Sequence, residues 1–445
     1  MANYVTALLS TAAAYKAKLL CSGVFVSGRS PTSLLKEDLA ADTLLPLKGF
    51  QSEIDYDRRT VTVSFLGITK RTALYRPGLG STLLFEKNAI ALHQQSQPFT
   101  IWQQSHPTKP TDLPTGRPPN PKQLEQSLDA AFSEPNASSL LSKRQRTRAV
   151  VILHMGKLIA ERYAPGFCAH TPMLGWSLCK SVINALIGIL VKDGKLSLQQ
   201  DHLFPEWQSP TDPRRHITLD HLLRMSSGLK FSETYANPLS DAITMLFQRG
   251  NKSAYAAALP LESKPGIQFS YASGSTVLLC RLIRDTLGGS LTDYLAFPLR
   301  ALFHKLGITT ATLEPDETGI FTGSSFMYAT ARDWAKLGQL YLQDGCWNGE
   351  RLLPTGWVTC STKESSITPF YGAHFWRGVP NSFAGEPDRE GWPADAYLAS
   401  GYQGQFVTVV PSQQLVVVRL GLSQRRNSWN HVAFIRSIVR AMQSN

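Results

Sequence analysis

One continuous apolar helix constrains this chain of 445 residues more than any other feature. Apolar residues recur at three- and four-residue steps from Trp176 to Lys192, which predicts a buried helix. Asp193 and Gly194 follow it as a stop signal, since glycine adopts the left-handed conformation that ends many helices. Ser177 and Lys180 stand three residues apart at the start of this helix, so they share one face and can hydrogen bond.

The pair at the head of this helix is typical of a serine nucleophile with a lysine base. An adjacent base activates a serine hydroxyl by removing its proton. Lysine can be that base when desolvation or positive neighbours lower its pKa. Ser-x-x-Lys also occurs at Ser33–Lys36 and Ser227–Lys230. We expect neither to be catalytic, because the first lies in a polar segment and the second contains Gly228.

The net charge and the basic segments of the chain indicate which kinds of partner it could bind. The net charge of +12 suits an acidic surface or an anionic partner. The densest basic run, Lys143–Arg148, is typical of a solvated loop. The sequence contains no motif for nucleic-acid binding. We therefore expect no nucleic-acid partner.

No apolar run is long enough to span a membrane. The apolar stretch from Tyr4 to Ala14 lacks a preceding positive charge, so we expect a first helix or the remainder of an export signal. Cytoplasmic and periplasmic locations stay open.

The six cysteines show no C-x-x-C spacing, so we expect neither a disulfide framework nor a metal site. Cys179 and Cys280 lie in apolar helical patterns, which predicts buried thiols.

The order of predicted elements indicates an α+β fold. A predicted strand ends near Leu66. Residues 97–122 are rich in proline, which predicts a linker or a covering strap.

The part of the chain after residue 122 has predicted strands near its beginning and its end, with helices between them. This order favours one sheet with an inserted helical subdomain at about 195–345. The expected domains are an N-terminal extension, 1–121, and a hydrolase domain, 122–445. The later predicted elements are a helix at 122–142, a hairpin at 149–163 turning at 155–157, helices at 219–225, 240–248, 275–287 and 331–342, strands at 405–411 and 414–420, and a helix at 428–442.

Four motifs in this order resemble those of the serine β-lactamase and penicillin-binding-protein superfamily. They are Trp176–Ser181 at the nucleophile, Ile217–Leu229 as a helix and turn, Pro265–Gly274 around Tyr271, and Ala399–Gly404 entering a strand. The nearest branch is the class C-like esterases and aminohexanoate-dimer (nylon-oligomer) hydrolases. The resemblance covers residues 122–445 and implies an antiparallel sheet flanked by helices.

The resemblance also implies roles for individual residues. Tyr271 would relay protons between the serine and the leaving group, and the alternative is a core tyrosine. Ser273 stands where the family has asparagine and would be either a pocket donor or a turn residue. Tyr235 matches a loop tyrosine that closes over the substrate in nylon-oligomer hydrolases, and the alternative is a surface tyrosine.

The last motif predicts the oxyanion hole. Ser400 and Gly401 are small where a strand must pass close to the substrate, and the N–H groups of Tyr402 and Ser177 would hold the oxyanion. Ala399 replaces the basic residue that usually recognises a substrate carboxylate.

Together these features predict a hydrolase that forms an acyl-enzyme on Ser177 and acts on small linear amides or esters, without a metal or an organic cofactor. A D-alanyl-D-alanine peptidase or β-lactamase is the first alternative, and the missing cation at residue 399 argues against it. A non-catalytic scaffold is the second. The oligomeric state stays open, and a homodimer is one arrangement compatible with the sequence.

Overall fold

The computed structural model describes residues 2–41, 47–134, 144–235, 237–380, 391–423 and 428–443. They fold into two compact units. The first is built from the chain up to residue 107 with residues 196–299 and 312–328, and the second from residues 108–195, 300–311 and the chain from residue 329 onward. Among the described residues, no helix combines the length and apolar character needed to cross a membrane.

Helices and strands follow one another in groups along the described chain. The helices are α1 (Ala2–Phe25), α2 (Pro31–Ser33), α3 (Leu39–Ala41), α4 (Ala89–Ser105), α5 (Pro121–Phe132), α6 (Cys179–Lys192), α7 (Leu219–Leu223), α8 (Asp241–Gln248), α9 (Lys252–Ala257), α10 (Ser273–Leu287), α11 (Leu291–Pro298), α12 (His304–Leu306), α13 (Ala331–Leu342), α14 (Trp357–Thr362) and α15 (His431–Ala441). The strands are β1 (Gln51–Asp55), β2 (Thr60–Phe65), β3 (Thr69–Arg76), β4 (Gly80–Leu83), β5 (Thr147–His154), β6 (Lys157–Tyr163), β7 (Met173–Leu174), β8 (Thr312–Leu313), β9 (Met327–Ala329), β10 (Cys346–Trp347), β11 (Glu350–Arg351), β12 (Tyr397–Gly401), β13 (Gln405–Val410) and β14 (Leu415–Gly421).

The first unit contains a four-stranded antiparallel sheet in the order β1-β2-β3-β4, with α1 packed against its last three strands. The helix is apolar but carries two buried lysines. Lys16 donates to the carbonyl of Phe50 at 2.5 Å, and Lys18 donates to the carbonyl of Ser81 at 2.6 Å. A buried charge is costly unless it is hydrogen bonded, and these carbonyls supply acceptors to both lysines.

Acidic side chains join residues 312–328 to the N-terminal segment. Glu314 is fully buried, forms an ion pair with Lys18, and accepts hydrogen bonds from the Ser81 amide at 2.7 Å and the Ser22 hydroxyl at 2.8 Å. Glu317 accepts from the Phe85 amide at 3.0 Å. Breaking a buried ion pair of this kind typically costs about 3–5 kcal/mol, so residues up to 107 are integral to the first unit.

The second unit is organised on a five-stranded antiparallel sheet in the order β12-β13-β14-β5-β6. Side chains alternate between its two faces. Val150, Ile152 and Val417 belong to a core that α5 and α15 cover. On the other side α13 packs against the central strands, and Gly338 lies so close to Val416 that an added Cβ would come within 2.6 Å of its Cγ1 atom. Helices therefore cover both faces of the central strands β13, β14 and β5.

These elements confirm the predicted α+β fold with antiparallel sheets and flanking helices. The hairpin at 149–163 turns at Met155 and Gly156, which both have positive φ. The predicted helices at 219–225, 240–248, 275–287 and 331–342 are α7, α8, α10 and α13 to within a few residues. Cys179 and Cys280 are buried, as expected.

The proline-rich segment 97–122 differs from the predicted linker in its first part. Helix α4 continues to Ser105 with Pro98 inside it, because the cap at Asn88 and the burial of Phe99 outweigh one missing N–H donor. The second part is a strap along the sheet edge, where Leu158 exchanges hydrogen bonds with Gly116 and Pro114 at 2.9 and 2.7 Å. The second half of the helix predicted at 122–142 and the start of the basic run at Lys143 lie outside the described residues.

Candidate active site

The predicted nucleophile and base are in direct contact in the second unit. Ser177 lies in a short 3₁₀ turn, Trp176–Leu178, that leads into α6. The Nζ atom of Lys180 is 2.9 Å from the Ser177 hydroxyl oxygen. The Lys180 residue is only 1% exposed and Ser177 is 8% exposed. This distance meets the geometric requirement for a base that takes the serine proton.

The backbone before the serine is strained. Trp176 is 4% exposed and has a φ of +49°, a left-handed conformation that is rare for a bulky residue. Such outliers persist only where the surroundings hold them, and they cluster at functional sites. Here the Trp176 ring packs edge-on against Tyr402, with 5.5 Å between the ring centroids.

Strand β12 ends directly against this turn. An added Cβ on Gly401 would lie 2.2 Å from the carbonyl oxygen of Gly175, so only glycine permits this approach of two backbones. Gly175 is restricted as well, since its own Cβ would lie 2.4 Å from the Trp334 ring. Ser400 and Tyr402 flank Gly401, which brings the predicted oxyanion segment to the turn that carries Ser177.

A buried histidine holds the first turn of α6. The Nδ1 atom of His374 is 2.8 Å from the backbone oxygen of Lys180, so this nitrogen carries the proton and donates. The Ser181 hydroxyl donates in return to the backbone oxygen of His374 at 2.7 Å. Burial lowers the pKa of His374 to about 3, which keeps the imidazole neutral near pH 7. The positive φ of +60° at His374 indicates that packing also fixes its backbone.

The first unit contains the other predicted residues, around a carboxylate that sequence analysis missed. Glu233 is 7% exposed and accepts three hydrogen bonds: from the Ser273 amide at 2.8 Å, from the Ser273 hydroxyl at 2.6 Å and from the Tyr235 hydroxyl at 3.0 Å. Tyr271 lies two residues before Ser273 and is 4% exposed. Tyr235, Ser273 and Glu233 therefore form one hydrogen-bonded cluster.

The cluster sits at the beginning of α10. Ala272 offers no capping side chain, and the Glu233 carboxylate accepts the first amide of the helix instead. Negative charge is favourable at this end of a helix dipole. Desolvation, followed by the negative charge of Glu233, raises the pKa of Tyr235 well above its ordinary value. Tyr235 thus remains a hydrogen-bond donor over the whole neutral range.

The other two Ser-x-x-Lys motifs show different contacts. The Ser33 hydroxyl binds Arg29 and Glu37, at 2.7 and 3.1 Å. The Ser227 hydroxyl accepts from the Leu229 amide at 3.3 Å, and Lys230 is exposed. A buried continuous helix, rather than the motif itself, is what distinguishes Ser177.

Glu233 and His374 had no recognisable signal in the sequence. Glu233 precedes Tyr235 by two residues in a polar loop, and its partner Ser273 is 40 positions away. His374 lies 194 positions from Lys180 in a segment without periodicity. Among the described residues, no group of three or more histidine, cysteine or acidic side chains is arranged to hold a metal ion.

Known proteins with similar sequences and structures place the chain in a family. The β-lactamase family model matches residues 124–431. The 6-aminohexanoate-dimer hydrolase of Paenarthrobacter ureafaciens is 24% identical over 290 residues, which cover 62% of this chain and 72% of that protein.

Two solved structures share the fold. A provisionally assigned 6-aminohexanoate-dimer hydrolase from Bacillus anthracis has a TM-score of 0.56 and 23% identity, over 75% of this chain and 86% of that one. A penicillin-binding-protein homologue from Caulobacter crescentus has a TM-score of 0.54 and 17% identity, over 74% of this chain and 100% of that one. Members of this family are serine hydrolases, and the match over most of its length shows that the present chain belongs to the β-lactamase family.

Proposed function

We propose that the protein is a serine amidohydrolase or carboxylesterase that cleaves small linear amides or esters through an acyl-enzyme on Ser177. The observation that carries the proposal is the 2.9 Å hydrogen bond between the buried Lys180 amine and the Ser177 hydroxyl. The similarity to a 6-aminohexanoate-dimer hydrolase supports a linear amide as one substrate class.

In the proposed reaction, Lys180 takes the proton of Ser177 while the serine oxygen attacks the substrate carbonyl. The N–H groups of Ser177 and Tyr402 stabilise the oxyanion, and removing one such donor typically costs about 10²–10³-fold in kcat. The proton then passes through Tyr271 to the leaving nitrogen or oxygen, a role that rests on the sequence motif around Tyr271. Water enters and hydrolyses the acyl-enzyme, which returns Ser177 to its starting state.

The surroundings of residue 399 favour neutral substrates over β-lactams. Ala399 is 3% exposed and lies opposite Val407 in the sheet, so this position offers no cation to a substrate carboxylate. Arg332 already binds both carboxylate oxygens of Glu161, and Arg377 donates to the Thr362 carbonyl at 3.0 Å. Neutral esters and amides lose nothing by the absence of a cation. We expect Ala399→Lys to raise nitrocefin turnover relative to that of a neutral p-nitrophenyl ester.

The direct test of the proposal is covalent labelling followed by peptide mass analysis. A fluorophosphonate probe should modify one peptide, the one that contains Ser177, and Ser177→Ala should abolish both labelling and ester hydrolysis. Lys180→Met preserves the buried volume and should lower kcat by about 10²–10⁴-fold, the usual contribution of a general base. Ser33→Ala is the matched control and should behave like the wild type. Labelling of Ser33 or Ser227 would overturn the assignment of the nucleophile. No labelling at all would favour a non-catalytic scaffold.

A further inference from the structure

The side chain of Gln405 contacts the turn that carries one of the two proposed oxyanion donors, the Tyr402 N–H group. Strands β12 and β13 pair up to Gly401 and Gln405, so the three residues after Gly401 form the turn between them. Gln403 in this turn has a φ of +62°, a left-handed conformation that a residue other than glycine keeps only where its surroundings hold it. The Ser423 amide donates to the Gln403 carbonyl at 2.9 Å, which is one contact of this kind.

The amide group of Gln405 forms four hydrogen bonds with backbone groups, and the residue is only 3% exposed. Its Nε2 atom donates to the carbonyl oxygens of Tyr402 at 3.1 Å, Gln403 at 3.2 Å and Gly421 at 2.7 Å. Its Oε1 atom accepts from the Gly421 amide at 3.0 Å. A carbonyl can only accept and a backbone N–H can only donate, so these partners allow one orientation of the glutamine amide.

These contacts hold the peptide planes on both sides of the Tyr402 Cα atom. The plane before it begins at Gly401, which pairs with Gln405 and lies against the Gly175 carbonyl. The plane after it contains the Tyr402 carbonyl, which accepts from the Gln405 amide. Because a residue has only two soft backbone dihedrals, holding both planes determines the direction of its N–H group. That direction matters, since an oxyanion donor is effective when it is preorganised toward the position of the developing charge.

Closure of the hairpin does not by itself require the Gln405 side chain. Five residue pairs join β12 to β13, and Arg419 of β14 donates to the Gly404 carbonyl at 2.7 Å. Gln405 adds a contact with the carbonyl of Tyr402 and a link from there to Gly421 at the end of β14. The buried amide therefore connects the donor residue to a third strand of the five-stranded sheet.

We propose that Gln405 is a positioning residue that holds the Tyr402 N–H group in the direction of the substrate oxyanion. The inference rests on the proposed function, in which this N–H group and that of Ser177 stabilise the oxyanion. Gln405 acts through Tyr402 and has no contact with the substrate. Loss of its amide should therefore impair the transition state more than the binding of the substrate.

The test compares Gln405→Met with the wild type in the hydrolysis of p-nitrophenyl acetate and in inhibition by phenylboronic acid, whose boron forms a tetrahedral adduct with a serine hydroxyl. Methionine is similar in length to glutamine and has no N–H donor. We expect kcat to fall by about 10²-fold with little change in KM, because a misplaced donor is lost mainly to the transition state. The affinity for the boronate should fall with kcat. Gln405→Glu is the isosteric second variant if Gln405→Met does not fold, since a carboxylate also has no N–H donor for the three carbonyls.

Val417→Ala is the matched control for a loss of stability. Val417 is completely buried in the same sheet and belongs to the core that α5 and α15 cover, so its truncation should lower the melting temperature without a change at the turn. The folded control should keep the kcat and the boronate affinity of the wild type.

The proposal is overturned if the folded Gln405 variants match Val417→Ala in kcat and boronate affinity, because Gln405 then supports stability alone. A rise in KM at unchanged kcat would also overturn it, since the effect would lie in substrate binding. These results leave the proposed function intact as long as the wild type hydrolyses the ester and is labelled at Ser177. A wild type with neither property would overturn the proposed function, and this inference with it.

Discussion

Replacing Glu233 by alanine should destabilise the protein far more than its position in a loop suggests. The substitution removes the acceptor of three hydrogen bonds, two from Ser273 and one from Tyr235. Ser273 is completely buried, so its amide cannot turn to water for a new partner. Leaving one buried donor unsatisfied costs about 1–3 kcal/mol. The loss of a carboxylate at the start of α10 adds about 0.3–1 kcal/mol, and the expected total is about 1.3–4 kcal/mol.

Glu233→Gln should be much milder. The glutamine oxygen can accept from the Ser273 amide, and its NH₂ group can donate to the two hydroxyls, which rotate to become acceptors. All three groups keep a hydrogen bond to the side chain, although the two hydroxyls change from donors to acceptors and the charge is lost, so we expect a cost of about 1 kcal/mol. The difference between the alanine and glutamine variants therefore measures the hydrogen bonds separately from the charge.

Urea unfolding followed by circular dichroism gives the free energies, and ester and amide turnover are measured on the same samples. Glu262→Ala is the matched control, because Glu262 is exposed, belongs to the same unit and bonds no described side chain. Substitutions at such surface sites usually change stability by less than about 0.5 kcal/mol. If Glu233→Ala is as stable as Glu262→Ala, the cluster around Ser273 does not form in solution and the argument fails.

Three further predictions concern single residues. Gly401→Ala should lower kcat by about 10²-fold, because its Cβ would lie 2.2 Å from the Gly175 carbonyl and must displace the turn that carries the nucleophile; wild-type ester turnover would contradict this contact. His374→Gln keeps a donor for the Lys180 carbonyl but removes a group whose pKa is lowered from 6.5 to about 3 on folding. Below pH 6.5 the unfolded wild type binds one proton more than the folded protein, so wild-type stability should fall relative to the variant by about 1.4 kcal/mol per pH unit down to pH 4, with no such change above pH 7. Parallel stability curves for the two proteins would refute the buried neutral state. Tyr235→Phe should lower amide turnover more than p-nitrophenyl ester turnover, because an amide nitrogen needs a nearby donor to leave; equal losses on both substrates would indicate a role in folding.

The fold class and the central pair were predictable because they depend on local periodicity. Helical geometry alone brings residues three apart to one face, so Ser177 and Lys180 could be paired from their spacing. The strands that contain Val151 and Val417 could be predicted because they are short runs of β-branched residues, which pack well in a buried sheet. The helix α4 was partly missed because Pro98 is a strong local signal against a helix, and burial of its apolar face outweighed that signal.

By itself, the sequence determined the buried helix, its serine and lysine, the order of the motifs and the alternation of the strands. Only the tertiary structure decided which side chains from distant segments form hydrogen bonds with these elements. Glu233 reaches Ser273 across 40 positions, and His374 reaches Lys180 across 194. No periodicity relates such positions, because a hydrogen bond between distant segments depends on how whole elements pack. The close approach of Gly401 to Gly175 has the same origin: the sequence shows two small residues, and only packing makes them necessary.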